Sequence, residues 1–196
     1  LFARQNNGKF LLRIEDTDLE RSKKEYVDQI TDALRWLGLN WDEDIILQSN
    51  NNNRHQEMVD KMLENGTAYR CFLQKDELDK LRKESDKKKV IFRVPQTYRN
   101  LSSIEQKKLI DEGKSFTVRI KVPDGETEFN DMVYGSIKVQ NKDLDDFIIA
   151  RSDGSPTYNF VVAVDDADMN ISHVIRGDDH LANTPKQILV YKALGL

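Results

Sequence analysis

The sequence predicts an α/β protein, a parallel sheet interrupted by a small α+β insertion. Three observations carry this. First, the short apolar runs KFLLRIE (9–15), YNFVVAVDD (158–166) and SHVIRGDD (172–179) each end in charge, as strands buried on both faces of a parallel sheet do. Second, helix signals with their own start and stop residues follow the first and last of these runs. Third, between 72 and 147 the pattern changes to alternation, which marks half-exposed antiparallel strands.

The elements follow in order. After the strand at 9–15, Ser22 and Glu25 have the spacing of a capping box. Tyr26, Val27, Ile30, Ala33, Leu34 and Leu37 then recur at helical spacing, and Gly38 supplies the stop. The NNNN tract at 50–53 is a polar loop or helix cap. A second helix is expected from about Arg54 to Asn65, with Met58, Val59, Met62 and Leu63 inward and Gly66 at its end.

QKDELDKLRKESDKKK (74–89) reads as a charged amphipathic helix whose lysines form a solvated face. In SFTVRIKVPDGETEF (115–129), Phe116, Val118, Ile120 and Val122 alternate with polar residues before an Asp124-Gly125 turn, predicting an antiparallel pair. The last helix is TPKQILVYKALG (184–195), with Thr184 as cap, Pro185 at the first position, Gln187 completing the box and Gly195 at the end. The domain division expected is 1–71, 72–147 for the insertion, and 148–196.

Composition narrows the function classes. The net charge is −4, with both signs well mixed, so a nucleic-acid partner would be held by local basic patches rather than by the overall field. Cys71 is the only cysteine, which rules out an internal disulfide. With only His55, His173 and His180 beside it, no zinc-ligand spacing exists and no zinc is expected. No apolar run approaches the roughly 20 residues of a membrane span, and no leader pattern is present, so the expectation is a cytoplasmic protein without membrane contact. The opening Leu1 and the closing YKALGL suggest a piece of something longer.

In open parallel sheets, ligands bind beyond the carboxyl ends of the strands. Glu15, Asp165, Asp166, Arg176, Asp178 and Asp179 fall at such ends in this reading. Asp16 and Asp18 have a second explanation, since acidic groups favour the positive end of a following helix by about 0.3–1 kcal/mol each. Arg176, closing an apolar run, calls for an anion, supplied either by a ligand carboxylate or phosphate or by an ion pair with Asp178 or Asp179. Tyr158 is either core with its hydroxyl satisfied or a site wall offering a hydrogen bond.

LLRIEDTDLERS (11–22), LRWLGLNWDE (34–43), AYRCF (68–72) and the long stretch RSDGSPTYNFVVAVDDADMNISHVIRGDDHLANTPKQI (151–188) together closely resemble the bacterial-type glutamyl-tRNA synthetases. The resemblance covers essentially the whole chain. It implies a Rossmann-like class I catalytic domain split by a connective insertion that helps hold the tRNA acceptor end. It further implies ATP-dependent activation of L-glutamate and its transfer to tRNA(Glu), with ATP and Mg²⁺ as substrate, no covalent catalyst and a monomeric parent. By this match Glu15 meets the amino group of glutamate, and Tyr158, Arg176 and His180 line its pocket, with Arg176 and Tyr158 reading the side-chain carboxylate. Asp179 and His180 border ATP, and Asp18 and Arg21 lie near the terminal adenosine of tRNA.

The same resemblance defines departures. The family's HIGH signature belongs upstream of this chain and its KMSKS loop and anticodon-binding domains downstream, so the chain by itself is expected not to charge tRNA. Of a four-ligand zinc site that many relatives carry, only Cys71 is present, and Asn51 stands where QSxR has arginine. Two alternatives belong to the same fold: the paralogue that glutamylates queuosine in tRNA, against which RIEDTD and the long insertion count, and a non-catalytic tRNA- or protein-binding module. An unrelated Mg²⁺-binding α/β domain would need several carboxylates converging on one ion.

Overall fold

A computed structural model describes residues 1–16 and 23–196. The chain divides into two compact units, 1–54 and 55–196. Asp18, Arg21 and the Ser22 cap expected from the sequence lie outside the described residues.

The first unit opens with a helical turn, α1 (Phe2–Gln5), then β1 (Arg13–Ile14), α2 (Lys24–Trp36) and β2 (Ile46–Leu47). β1 and β2 pair in parallel, Arg13 with Ile46 and Ile14 with Leu47. This strand, helix, strand unit is the parallel α/β element the sequence calls for, since parallel neighbours need a crossover. Its burial differs from expectation. The run at 10–14 is half-buried rather than covered on both faces, because β2 is its only neighbour among the described residues.

α2 also departs from the expected packing. Val27 and Leu34 are half-buried and Thr31 is buried, while Tyr26, Ile30, Ala33 and Leu37 are exposed. Lys23 takes the N-cap place without a side-chain bond. The stop is as expected. Gly38 adopts φ +72°, its N–H donates to the Arg35 carbonyl, and the Leu39 N–H reaches back to Leu34, the paired bonds of a left-handed helix terminus.

The second unit takes in most of α3 (Asn52–Glu64), which a 3₁₀ turn at Gln48–Asn51 precedes, then β3 (Ala68–Cys71), α4 (Lys75–Lys87), α5 (Ser103–Asp111), β4 (Thr117–Ile120), β5 (Glu126–Asp131), β6 (Gly135–Gln140), β7 (Ile148–Ala150), α6 (Tyr158–Asp168) and α7 (Thr184–Leu194). β4 lies between β3 and β7, antiparallel to both. β5 and β6 form a separate hairpin. The Asp124-Gly125 turn therefore does not close a hairpin on β4, as the alternation suggested. Both edges of β4 are already occupied, so the chain leaves that sheet and begins another.

α3 meets its expectation, with Met58, Val59 and Met62 buried and Gly66 at φ +76°. Its end also serves α7. Lys61 Nζ donates to the Leu194 carbonyl at 2.9 Å and Asn65 Nδ2 to the Ala193 carbonyl at 3.1 Å, satisfying carbonyls that a helix terminus leaves open. α4 is the charged helix expected, with no buried residue, and Gln74 and Glu77 form its capping box.

Two of the expected strands are not strands. YNFVVAVDD is α6, in which Phe160, Val161, Val162, Ala163, Val164, Asp165 and Asp166 are all buried. A helix enclosed on every side is apolar all round, so a short apolar run cannot be told from a central strand by periodicity. The segment at 172–176 has no regular structure, with Val174 and Ile175 55% and 76% exposed. A strand needs a partner for its backbone groups, and none of the described residues supplies one. Asp165 and Asp166 thus sit within a helix, and Arg176 does not close a strand. The core of this unit joins α6 to Leu189, Val190 and Leu194 of α7, to Met58, Val59 and Met62 of α3, and to Ile120 and Ile149 of the sheet.

Candidate functional site

Around the first turn of α7, four polar side chains converge. Arg176 donates from one terminal nitrogen to Gln187 Oε1 at 3.0 Å and from the other to Thr184 Oγ1 at 2.5 Å. Gln187 is 6% exposed, and its Nε2 donates to Asn159 Oδ1 at 3.4 Å. Asn159 is the neighbour of Tyr158, the first residue of α6, which is 44% exposed. One hydrogen-bonded chain therefore ties Arg176 to the N-terminal turns of both helices.

The capping box expected at Thr184 and Gln187 is not formed. Asn183 is the N-cap, without a side-chain bond, because Thr184 and Gln187 turn to Arg176 instead. Nor does Arg176 form the ion pair with Asp178 or Asp179 weighed from the sequence. Among the described residues its hydrogen-bond partners are neutral and no carboxylate lies within ion-pair distance. A half-buried guanidinium held this way keeps its charge and spare N–H donors for an anion.

The two aspartates find other partners. Asp179 lies 3.6 Å from His180 Nε2, and Asp178 accepts a long 3.5 Å bond from the Tyr134 hydroxyl. Asp178–Asn183 is a 3₁₀ turn in which His180 Nδ1 also meets Asn183 Nδ2 at 3.3 Å. The Asp179 carboxylate folds back over Gly177, where a Cβ would lie 2.4 Å from Oδ1, the end of an exposed side chain with room to swing aside.

Glu15 and Asp16 belong to the first unit. Glu15 is exposed, with its carboxylate 3.6 Å from Arg13. Asp16 accepts from the Ser49 backbone N–H at 2.8 Å and from Ser49 Oγ at 2.6 Å. Both of its oxygens are engaged at the start of the 3₁₀ turn, a structural role that the helix-dipole explanation did not foresee.

The sequence reading overlooked one further buried polar pair. His55 Nε2 lies 2.7 Å from Asp165 Oδ1, with both side chains fully buried. It links the first turn of α3 to α6. The signal was available only in hindsight, as a lone histidine before an apolar helix face. Gln187, Thr184 and Asn159 were likewise missed as site residues, the first two because their spacing imitates a helix cap. Among the described residues no group of three or more His, Cys, Asp or Glu side chains could hold a metal ion, and no helix is long and apolar enough to cross a membrane.

Comparison with known proteins matches residues 1–196 to the family model for tRNA synthetases class I (E and Q), catalytic domain. The chain belongs to this family. It is 54% identical over its full length to the glutamate–tRNA ligase of Aquifex aeolicus, covering 41% of that protein. It is 48% identical to the glutamate–tRNA ligase of a Hydrogenobaculum species, covering 42%. Among solved structures, a glutamate tRNA ligase from Elizabethkingia meningosepticum in complex with its amino acid matches 99% of this chain and 42% of its own, with TM-score 0.89 and 34% identity. The chain spans about two fifths of the length of these class I relatives. The α/β fold is that of the class I catalytic domain.

Proposed function

We propose that this chain is the catalytic portion of a glutamate–tRNA ligase, which joins L-glutamate to the 3′ end of tRNA(Glu) with ATP and Mg²⁺ as substrate. The observation that carries the reading is Arg176, a guanidinium aimed by two neutral oxygens and left without a carboxylate partner among the described residues. A planar fork of this kind suits a substrate carboxylate held by parallel hydrogen bonds.

In this reading Arg176 and the Tyr158 hydroxyl receive the side-chain carboxylate of glutamate, and Glu15 receives its ammonium group. His180 borders both glutamate and ATP, and Asp179 borders ATP. Asp18 and Arg21 approach the terminal adenosine of the tRNA, and residues 72–147 form the insertion that supports the acceptor end, between catalytic segments 1–71 and 148–196. The α-carboxylate of glutamate attacks the α-phosphorus of ATP, the bond to pyrophosphate breaks, and a terminal ribose hydroxyl of tRNA then displaces AMP. Positioning and charge stabilisation accomplish this without a protein nucleophile. The parent acts as a monomer in the cytoplasm.

The test is aminoacylation by the full-length protein, with radiolabelled glutamate and tRNA(Glu). Glutamate esterified to the 3′ end is the expected product. Label carried instead on a modified base would favour the queuosine paralogue, and no glutamate-dependent ATP–pyrophosphate exchange in the presence of tRNA would overturn the enzymatic reading altogether.

A further inference from the structure

Thr184 and Gln187 have the T-x-x-Q spacing that ordinarily caps a helix, yet α7 starts without a side-chain cap. Giving up a cap costs helix stability, so the same two groups must be held elsewhere by something stronger. That partner is Arg176, and bonds to a charged donor are stronger than bonds between neutral groups. Gln187 is buried, and its amide orientation is settled from both ends. Its Nε2 faces Asn159 Oδ1, which leaves Oε1 for the guanidinium.

The chemistry of the partners is informative. A glutamate at 187 would hold Arg176 more tightly, because charge assistance strengthens such bonds. It would also neutralise the arginine and remove its preference for an incoming anion. An amide and a hydroxyl fix the direction of the fork while leaving its charge uncompensated.

We infer that Gln187, together with Thr184, is a positioning residue that aims Arg176 through neutral oxygens, and that this neutrality makes the pocket prefer a substrate side-chain carboxylate over the corresponding amide. The inference rests on the reading of Arg176 given above. It concerns residues that touch Arg176 and need not touch the substrate.

The experiment compares KM for glutamate, KM for ATP and the glutamate-to-glutamine ratio of kcat/KM in the full-length protein, by ATP–pyrophosphate exchange with tRNA present. Gln187→Met removes the acceptor at similar volume, and should raise KM for glutamate about tenfold while KM for ATP stays put. Gln187→Glu keeps an acceptor but adds charge, so it should raise KM for glutamate and shrink the glutamate-to-glutamine ratio. Thr184→Val should weaken glutamate binding and Thr184→Ser restore it, a pair that decides the matter if the buried Gln187→Met variant does not fold. An unchanged ratio in Gln187→Glu, or losses shared equally by glutamate and ATP, would overturn the inference. Arg176→Ala separates the two levels. If it abolishes glutamate use while the Gln187 and Thr184 variants behave as the parent, only this inference fails; if it too leaves KM for glutamate unchanged, the reading of Arg176 itself fails.

Discussion

Asp16 and Arg176 make an instructive pair. Both are charged residues following an apolar run, and the sequence alone offers each a ligand or an internal partner. In the first unit Asp16 closes on Ser49 through both carboxylate oxygens. In the second, Arg176 is gripped by Gln187 and Thr184, and no carboxylate among the described residues neutralises it. Neutral groups hold both charges, so the difference lies in the hydrogen-bonding capacity each has left. Asp16 has both carboxylate oxygens engaged and is structural, whereas a guanidinium bonded through two of its five N–H groups has donors left for a ligand.

The sharpest way to break this contrast is Arg176→Ala. In the full-length protein it should cost about 2–5 kcal/mol of glutamate activation, because a desolvated anion loses its charge-assisted partner, with little change in thermal stability. Steady-state kinetics beside a melting curve checks both halves. A normal KM for glutamate would place Arg176 in the same structural class as Asp16.

His55 and Asp165 test the opposite extreme, a pair with both side chains fully buried. His55→Ala should cost about 3 kcal/mol of stability, chiefly from the cavity, with the loss of one partner of Asp165 added, measured by denaturant unfolding. Should the variant instead lose activity at full stability, the pair would be functional rather than structural.

Glu15 is exposed and only loosely associated with Arg13. Replacing it by Gln should weaken glutamate binding by about 2 kcal/mol while ATP binding is unchanged, since the substrate ammonium loses a charged acceptor. Equal weakening of both ligands would point to a general disturbance. For Asp16→Ala the expectation is reversed, a loss of about 1 kcal/mol in stability and an unchanged KM for glutamate.

The smallest effect distinguishes two structural carboxylates by pH. Asp42 is held below its usual 3.8 by the Phe10 N–H and by Arg4, so the stability it contributes is present above that value and is lost as pH falls through its lower folded value. Asp146 is pushed above 3.8 by burial, against the pull of the Val122 N–H and Arg99, so its charged form is the strained one and its contribution improves as pH falls through its raised folded value. Acid should therefore weaken the neighbourhood of Asp42 while sparing that of Asp146. Hydrogen exchange of the amides near each, in Asp42→Asn and Asp146→Asn variants, should show the two slopes vanish separately.

What was legible in the sequence was local. The Gly38, Gly66 and Gly195 stops were readable because a left-handed helix terminus selects glycine over any residue with a side chain. Met58, Val59 and Met62 were readable because a half-exposed helix must alternate its faces. The resemblance carried by the long motif at 151–188 pointed to the family that the comparisons establish.

Tertiary structure decided whatever depended on a neighbour. YNFVVAVDD is apolar enough for a central strand or an enclosed helix, and only its surroundings, α7 and the His55–Asp165 bond among them, select the helix. SHVIR has the composition of a strand, but a strand exists only where another offers its backbone groups. Thr184 and Gln187 carry the letters of a cap and serve an arginine, because a charged donor within reach outcompetes a backbone N–H for the same oxygens. Propensity and spacing act within a few residues and are written along the chain. The partner that claims a side chain is chosen only when distant segments meet.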